Sequence, residues 1–278
     1  MPAFDTPEPI TVAVDLLAGE ARFVASDRVD TVVEVRPGDP DSEADIRAAE
    51  QARVEYDRGR LVVKAAKPGL FAHGGALDVR VALPLGSDVR GNAASAAFRS
   101  TGRLGECRFK TATGDVQLDA TGSLLVEVGR ADVSAECADG RAEITVGSGT
   151  VRLGEVHGPV VVRNAGGDTW IGRAGAGVRV HGAKGTIIVD HAEAAVEAKT
   201  GHGTIRVGEV RRGPVVLETG GGDVEFGVRE GTSARVDVST RNGRVENLLT
   251  ASDGPRAGVE TAEIRARTSA GDIVIRRA

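Results

Sequence analysis

The stretch that decides the fold spans residues 149–208 and reads GTVRLGEVHGPVVVRNAGGDTWIGRAGAGVRVHGAKGTIIVDHAEAAVEAKTGHGTIRVG. It contains successive units of 18 residues that open at Gly149, Gly167 and Gly185, and a further unit opens at Gly203. Self-similarity at a fixed period is the signature of a repeat architecture, in which each unit is one coil of a stack. This stretch therefore predicts a solenoid.

The same signal extends in both directions along the chain. The opening residues of its units are Gly114, Ala131, Gly149, Gly167, Gly185, Gly203, Gly222, Gly243 and Gly271. An earlier unit, which opens at Ala96 with Phe98 two positions later, fits the pattern less closely. The last interval is 28 residues because 248–261 reads as a loop, with strong turn chemistry at 251–255.

Alternation with a period of two identifies the strands within each unit. The second and fourth residues after the opening residue are mostly apolar, as in Val151 and Leu153. The column between them reads Gln117, Ser134, Arg152, Trp170, Ile188, Arg206, Glu225, Glu246 and Val274. Such in-out-in alternation is typical of a half-buried strand. A second short strand follows a turn, for example at 160–163.

Each unit therefore reads as strand, turn, strand, turn in about 18 residues. Neither strand can bury its inner face alone, but stacked coils bury a continuous core. Glycine at the opening position suits a sharp corner that needs positive φ. The predicted fold is all-β: a β-helix-like β-solenoid of two-strand coils, occupying residues 91–278.

The first 90 residues do not follow the repeat and are predicted to form a separate β-rich cap, domain 1–90, with one short helix. Its candidate strands are 11–15, 20–25, 31–36, 53–57, 61–65 and 77–83. The helix is expected over 41–51, with Ser42 or Asp41 as its N-cap. A cap would hide the open edge of the first coil. The opposite edge is expected to be blunted by Arg265, Arg267, Arg276 and Arg277.

Composition narrows the possible functions. The 278 residues include 38 Gly but six Phe, one Tyr and one Trp, and the formal net charge is −5. No basic footprint for nucleic acid is present. No apolar stretch has the length of a membrane span and no secretory signal is visible, so we predict no membrane insertion and a cytoplasmic location. Cys107 and Cys137 fall in different columns and are expected to be free thiols.

The motifs of common catalytic and metal sites do not occur in the sequence, so we predict a non-enzyme without catalytic residues, cofactor or metal. A column of aspartates invites a calcium interpretation: Asp115, Asp132, Asp168, Asp223 and Asp272. Other coils carry Thr in that column, so capping of tight turns explains it better. The histidines share no column and are predicted to be solvated: His73, His157, His181, His191 and His202.

One outward column contains an unexpected tryptophan. The alignment places Trp170 between Arg152 and Ile188, with Arg206 one coil further on. An exposed Trp beside Ile could anchor a partner. It could also stack on Arg152 as a cation–π pair, or be covered by the N-terminal segment. The possible interaction face therefore comprises Arg152, Trp170, Ile188 and Arg206.

Several short motifs carry a family resemblance. They are ALPLGS at 82–87, TGDV at 113–116, GGDV at 221–224 and SAGDI at 269–273. With these motifs the chain resembles a bacterial β-strand-repeat domain of unknown function known as “putative adhesin”, most clearly over 77–278. The resemblance implies a β-solenoid without catalytic residues, often associated with the cell envelope in its relatives.

The function predicted from these observations is a non-enzymatic scaffold or interaction protein, adhesin-like, whose partner is an unidentified protein or cell-envelope component. Two alternatives stay open. A self-assembling cytoskeletal-type rod would arise if uncapped coils stacked end to end. A carbohydrate-active β-helix enzyme would need a pair of carboxylates in an outer groove.

Overall fold

The computed structural model describes residues 2–66, 74–249 and 260–278. In these ranges the chain is almost wholly β with one helix, which confirms the predicted all-β class. The chain divides into two units, Met1–Asp139 and Gly140–Ala278, and each has its own stack of parallel strands. The predicted domain boundary after residue 90 stays a prediction. His73 and the predicted turn at 251–255 lie outside the described residues.

The described part of the first unit contains eleven strands and one helix. In chain order they are β1 (Ala3–Asp5), β2 (Thr11–Ser26), β3 (Asp30–Pro37), α1 (Glu43–Glu50), β4 (Arg53–Asp57), β5 (Arg60–Lys64), β6 (Ala76–Pro84), β7 (Asp88–Thr101), β8 (Cys107–Thr113), β9 (Val116–Thr121), β10 (Leu124–Arg130) and β11 (Val133–Ala138).

Strand β2 already belongs to the solenoid stack. Its first half pairs in parallel with β5 and β7, and its second half pairs in parallel with β6 and β7. Gly19, in the middle of β2, is in register with Leu77 and Ala96. Phe98 is in turn in register with Val116, so the weakly fitting unit at Ala96 is a true coil. The predicted cap therefore contains a coil of the stack.

Antiparallel strands close the beginning of this unit. β3 pairs antiparallel with β6, β1 with β3, and β4 with β5. The helix α1 begins after Ser42, whose side chain accepts a hydrogen bond from the Asp45 amide, so Ser42 is the N-cap rather than Asp41. Asp45 also accepts from the Ala76 amide at 3.0 Å, which ties the helix to β6 and holds the pKa of this carboxyl below its ordinary value.

The described part of the second unit contains fourteen strands. They are β12 (Ala142–Ser148), β13 (Val151–Val156), β14 (Val160–Gly166), β15 (Thr169–Ala174), β16 (Val178–Lys184), β17 (Ile187–Ala192), β18 (Val196–His202), β19 (Ile205–Val210), β20 (Gly213–Gly221), β21 (Val224–Val228), β22 (Ser233–Asn242), β23 (Val245–Asn247), β24 (Thr261–Ala270) and β25 (Ile273–Arg277).

These strands form two parallel sheets, one from each strand of the coil. The first sheet runs β12-β14-β16-β18-β20 and the second runs β13-β15-β17-β19-β21. The register is the repeat itself: Val178 lies beside Val196, and Ile187 beside Ile205. The predicted two-strand coils of 18 residues are therefore confirmed.

The last coils do not stack in chain order. β24 lies between β20 and β22, and β25 lies between β21 and β23. The C-terminal coil is thus inserted before the coil that precedes it in sequence. The expectation that Arg265, Arg267, Arg276 and Arg277 blunt the final edge is therefore wrong, because the terminal rung of this unit is β22–β23.

The physical reason lies in the inward side chains. The inserted coil contributes Ile264, Ala266, Ile273 and Ile275, all fully buried. The terminal coil carries Asn247 where the inserted coil carries Ile275. The more apolar coil occupies the position that is covered on both sides, since burial of apolar surface stabilises by about 25 cal/mol per Å².

Corner glycines allow the rungs to approach closely. Gly203 has φ +143°, and a Cβ on it would lie 2.0 Å from the carbonyl oxygen of Gly185. The next corners repeat the contact in spatial order: a Cβ on Gly271 would meet the Gly222 carbonyl at 2.2 Å, and one on Gly243 would meet the Gly271 carbonyl at 2.0 Å. Glycine is therefore required twice, for its φ and for its missing side chain.

A column of mostly buried polar side chains fastens these corners, and the sequence analysis missed it. The column lies three residues before the opening glycine and contains Thr111, Asn164, Thr200, Thr219, Thr240 and Thr268. The Thr219 hydroxyl donates to the Gly203 carbonyl, and the Thr268 hydroxyl donates to the Gly222 carbonyl, each at 2.9 Å. The carbonyl that faces the neighbouring corner is thus hydrogen-bonded inside the core, as buried polar groups must be.

We expect Gly203→Ala to destabilise the protein more than Gly231→Ala. Gly231 also has positive φ, +82°, but a Cβ there would meet no atom within 4 Å. The control should cost about 1–2 kcal/mol through φ alone. The Gly203 variant should cost about 1–3 kcal/mol more, because the new methyl overlaps a backbone oxygen. Urea denaturation measures both free energies of unfolding, and equal losses would contradict the role of the close approach.

Candidate functional site

The structure brings the four residues of the predicted interaction face into one column. Arg152 on β13 is in register with Trp170 on β15, which is in register with Ile188 on β17 and then Arg206 on β19. Neighbouring strands lie about 4.8 Å apart, so the column is continuous across four rungs. Both arginines are exposed, and Trp170 and Ile188 are half-buried.

The Trp170 ring lies along the sheet instead of projecting from it. Its indole N–H donates to Asp190 Oδ2 at 3.0 Å, across to the next rung. A Cβ on Gly172 would lie 3.1 Å from Cη2 of the ring, so the absence of a side chain at Gly172 makes room for the indole. Two independent contacts therefore hold the ring in one orientation.

The ring borders a shallow, open depression of about 510 Å³, called here the Trp170 depression. Its lining residues are Trp170, Ile188, Asp190, His191, Arg206, Gly208, Glu209 and Ala278. Trp170 and Ile188 supply apolar surface, and charged and polar groups stand around them. Such a mixture suits recognition of a partner that presents an apolar group with polar flanks.

The charged groups around the Trp170 depression contact one another. Glu209 lies 3.4 Å from Arg229 and 3.7 Å from His191, measured between the charged atoms. Arg206 lies 3.5 Å from Glu225 in the same way. Asp190 accepts the indole hydrogen bond. The rim is therefore an array of paired donors and acceptors on a rigid sheet.

The sequence analysis missed Asp190, His191 and Glu209 as neighbours of the tryptophan. A signal for Asp190 was present in the repeat. The fifth position after the opening residue reads Gly154, Gly172, Asp190, Gly208 and Gly227 in successive coils. A carboxylate that interrupts a glycine column, one coil after the tryptophan, marks the place where the indole finds its acceptor.

The aspartate column has a structural role that joins adjacent rungs. Asp168 Oδ1 accepts from the Thr186 amide at 2.7 Å, and Asp223 Oδ1 accepts from the Asp272 amide at 2.8 Å. Asp272 Oδ1 accepts in turn from the Arg244 amide at 2.8 Å. The sequence predicted capping of a tight turn, whereas these bonds reach the corner of the next coil and follow the inserted order of the last coils.

The outward charges of the first sheet form cross-rung ion pairs, as the alternation of charge suggested. Arg179 lies 2.9 Å from Glu197, and Lys199 lies 3.1 Å from Glu218. Hydrogen bonding from Arg179, and then from His181, holds the pKa of Glu197 below its ordinary value. Exposed pairs of this kind contribute little stability individually and keep the face solvated.

Both cysteines are free thiols, as predicted, and they lie on different strands, β8 and β11. Cys107 is fully buried, and burial raises the pKa of its thiol to about 12. At neutral pH this thiol is protonated and packs as a small apolar side chain, because only the thiolate is a nucleophile.

No helix in the described ranges is long and apolar enough to cross a membrane. No protein-family model matches the chain, and no curated protein matches it.

Several solved structures are similar to it. A “putative adhesin” from Parabacteroides merdae ATCC 43184 is 12% identical with a TM-score of 0.39, covering 99% of this chain and 95% of that chain. A “putative adhesin” from Bacteroides fragilis NCTC 9343 is 14% identical with a TM-score of 0.30, covering 100% and 95%. A “putative cell adhesion protein” from Clostridium sporogenes ATCC 15579 is 10% identical with a TM-score of 0.22, covering 100% and 98%. These names agree with the family resemblance of the sequence, but likeness this weak carries no conclusion about a ligand or an activity.

We expect Cys107 to resist alkylation in the folded protein. At pH 8 a thiol with a pKa of about 12 is ionised in roughly one molecule in ten thousand. The variant Cys137→Ser isolates Cys107, and mass spectrometry counts the labels. No label should be found under native conditions and one should be found after unfolding in urea. Rapid native labelling would show that the first unit does not bury this side chain.

Proposed function

We propose that the chain is a non-enzymatic, adhesin-like interaction protein that binds its partner through the Trp170 depression. The observation that supports this most is the arrangement of one tryptophan flat on an exposed sheet, seated over Gly172 and hydrogen-bonded to Asp190. The ring is half-buried against its own chain, and the rest of its surface borders the depression.

The energetics of such a site favour binding. Tryptophan is among the residues that most often dominate binding energy at interfaces. A ring already held by a hydrogen bond and a close backbone contact loses little conformational freedom when a partner covers it. Ile188 extends the apolar area beside it, and the glycines of the neighbouring column leave the surface low enough for a partner to approach.

The partner is proposed to be a protein or a cell-envelope component. It would present an apolar group to Trp170 and Ile188, with polar groups for Arg206, His191 and Glu209 around them. Nucleic acid is disfavoured as a partner by the net charge of −5.

Contacts of the carboxylates support a binding role over catalysis. A carbohydrate-active enzyme needs one carboxyl group as acid and another as base or nucleophile. In the Trp170 depression Asp190 accepts from the indole, while Glu209 contacts both His191 and Arg229. These contacts engage both carboxylates in holding the rim.

We expect Trp170→Ala to abolish partner binding while the fold is kept. The wild type and the variant would be immobilised and exposed to envelope and cytosolic fractions of the host, and a species retained by the wild type alone would then be purified. Its affinity should fall at least about 30-fold, or about 2 kcal/mol, in the variant. Because Trp170 is the single tryptophan, its fluorescence should change when that partner is titrated into the wild type.

The matched control is Arg163→Ala, which removes an exposed arginine from β14 in the other sheet. It should bind like the wild type. If Trp170→Ala and Arg163→Ala retain the same species with the same affinity, the proposed site is wrong. A captured partner that leaves the tryptophan fluorescence unchanged would also place binding elsewhere.

A further inference from the structure

The terminal rung of the second unit has an uncovered apolar side. Val245 on β23 is 44% exposed, although Val224 and Ile273 in the same column are fully buried. On β22, Val236 is half-buried, although Ile264 beside it is fully buried. Among the described residues, β22 pairs with β24 alone and β23 with β25 alone. One edge of the rung is therefore open to another strand.

The outward charges of this rung are also without ion pairs to the residues that the structure describes. Arg235, Asp237 and Arg241 on β22 have none, whereas Arg179 and Glu197 further inside the stack are paired across rungs. In the interior of the stack the next coil supplies the partner charge. At the terminal rung that partner charge has to come from another chain.

The order of the side chains on β22 makes the strand complementary to itself. Antiparallel strands place residues of the same face directly opposite one another. If two copies of β22 meet about Val236, Arg235 of each copy lies opposite Asp237 of the other. On the inward face Ala234 lies opposite Val238, and Val236 lies opposite its own copy. Two charge pairs and a continuous apolar row therefore form together.

Neighbouring registers lose one of these matches. Pairing about Asp237 would place the two Asp237 carboxylates opposite each other, and like charges in that position are destabilising. Pairing about Val238 would place Arg235 opposite Arg241. Strand β23 repeats the order of an arginine, a valine and an acid in Arg244, Val245 and Glu246.

We propose that a second copy of this chain adds to the free edge of β22 in antiparallel orientation, about a two-fold axis through Val236. This is strand addition to a sheet edge, in which main-chain hydrogen bonds supply affinity and the facing side chains set the register. A two-fold contact uses the same surface on both copies and is closed, so it produces a dimer and no filament. It requires nothing of the Trp170 depression.

The test is a charge exchange followed by sedimentation equilibrium from about 1 to 100 µM. The wild type should reach twice the 28.7 kDa mass of one chain. Arg235→Asp and Asp237→Arg should each weaken the dimer by roughly tenfold or more, since each turns two attractive pairs into repulsive ones. The double exchange R235D/D237R restores both pairs in reverse, and its affinity should return to within about threefold of the wild type.

Arg90→Asp is the matched control, because Arg90 is an exposed position on β7, a strand paired on both edges. It and Trp170→Ala should dimerise like the wild type. Circular dichroism identifies any single variant that fails to fold, and the double exchange then decides alone. A wild type that is monomeric over the whole range, or a folded double exchange that is monomeric, would overturn the proposal.

Discussion

The contact between one corner glycine and the carbonyl of the next is the constraint on which the rest of the structure depends. At Gly203 the missing side chain lets the Gly185 carbonyl approach to within 2.0 Å of where a Cβ would lie. Thr219 then hydrogen-bonds the Gly203 carbonyl from inside the core. On the outside, aspartates such as Asp168 accept the backbone amide of the next corner. Together these contacts fix the spacing and register of the coils, and the inward columns follow.

Sequence reasoning predicted the coil well because the corner is a local requirement. A glycine every 18 residues and period-two alternation are visible without any knowledge of long-range contacts. The helix N-cap at Ser42 and the coil at Ala96 are local in the same sense, and the structure confirms both.

The order of the last coils could not be predicted in this way. Every coil fits every other, so the column pattern is silent on whether β22–β23 or β24–β25 comes last. The deciding difference is energetic: Ile275 stands where the other coil has Asn247, and the apolar coil gains more from being covered on both sides. Asp190 was missed for a related reason, since its role depends on a hydrogen bond from Trp170 on the neighbouring rung, 20 residues away in sequence.

A solenoid of this kind offers solvated, evenly spaced faces, so its functional surfaces are the places where the repeat is broken. In the second unit two such places stand out. At Trp170 an aromatic ring and an aspartate replace the usual polar residue and glycine, and a depression results. At β22–β23 the stack ends on a rung whose apolar residues and charges have no covering coil among the described residues. The first surface suits a foreign partner and the second suits a copy of the same chain.

Native hydrogen exchange followed by mass spectrometry tests the rung order most directly, at a concentration low enough to keep the chain monomeric. The amides of β24, which lie between two rungs, should exchange more slowly than those of β22, which pair along one edge. Slow exchange in β22 together with fast exchange in β24 would place the coils in chain order and contradict the inserted C-terminal coil.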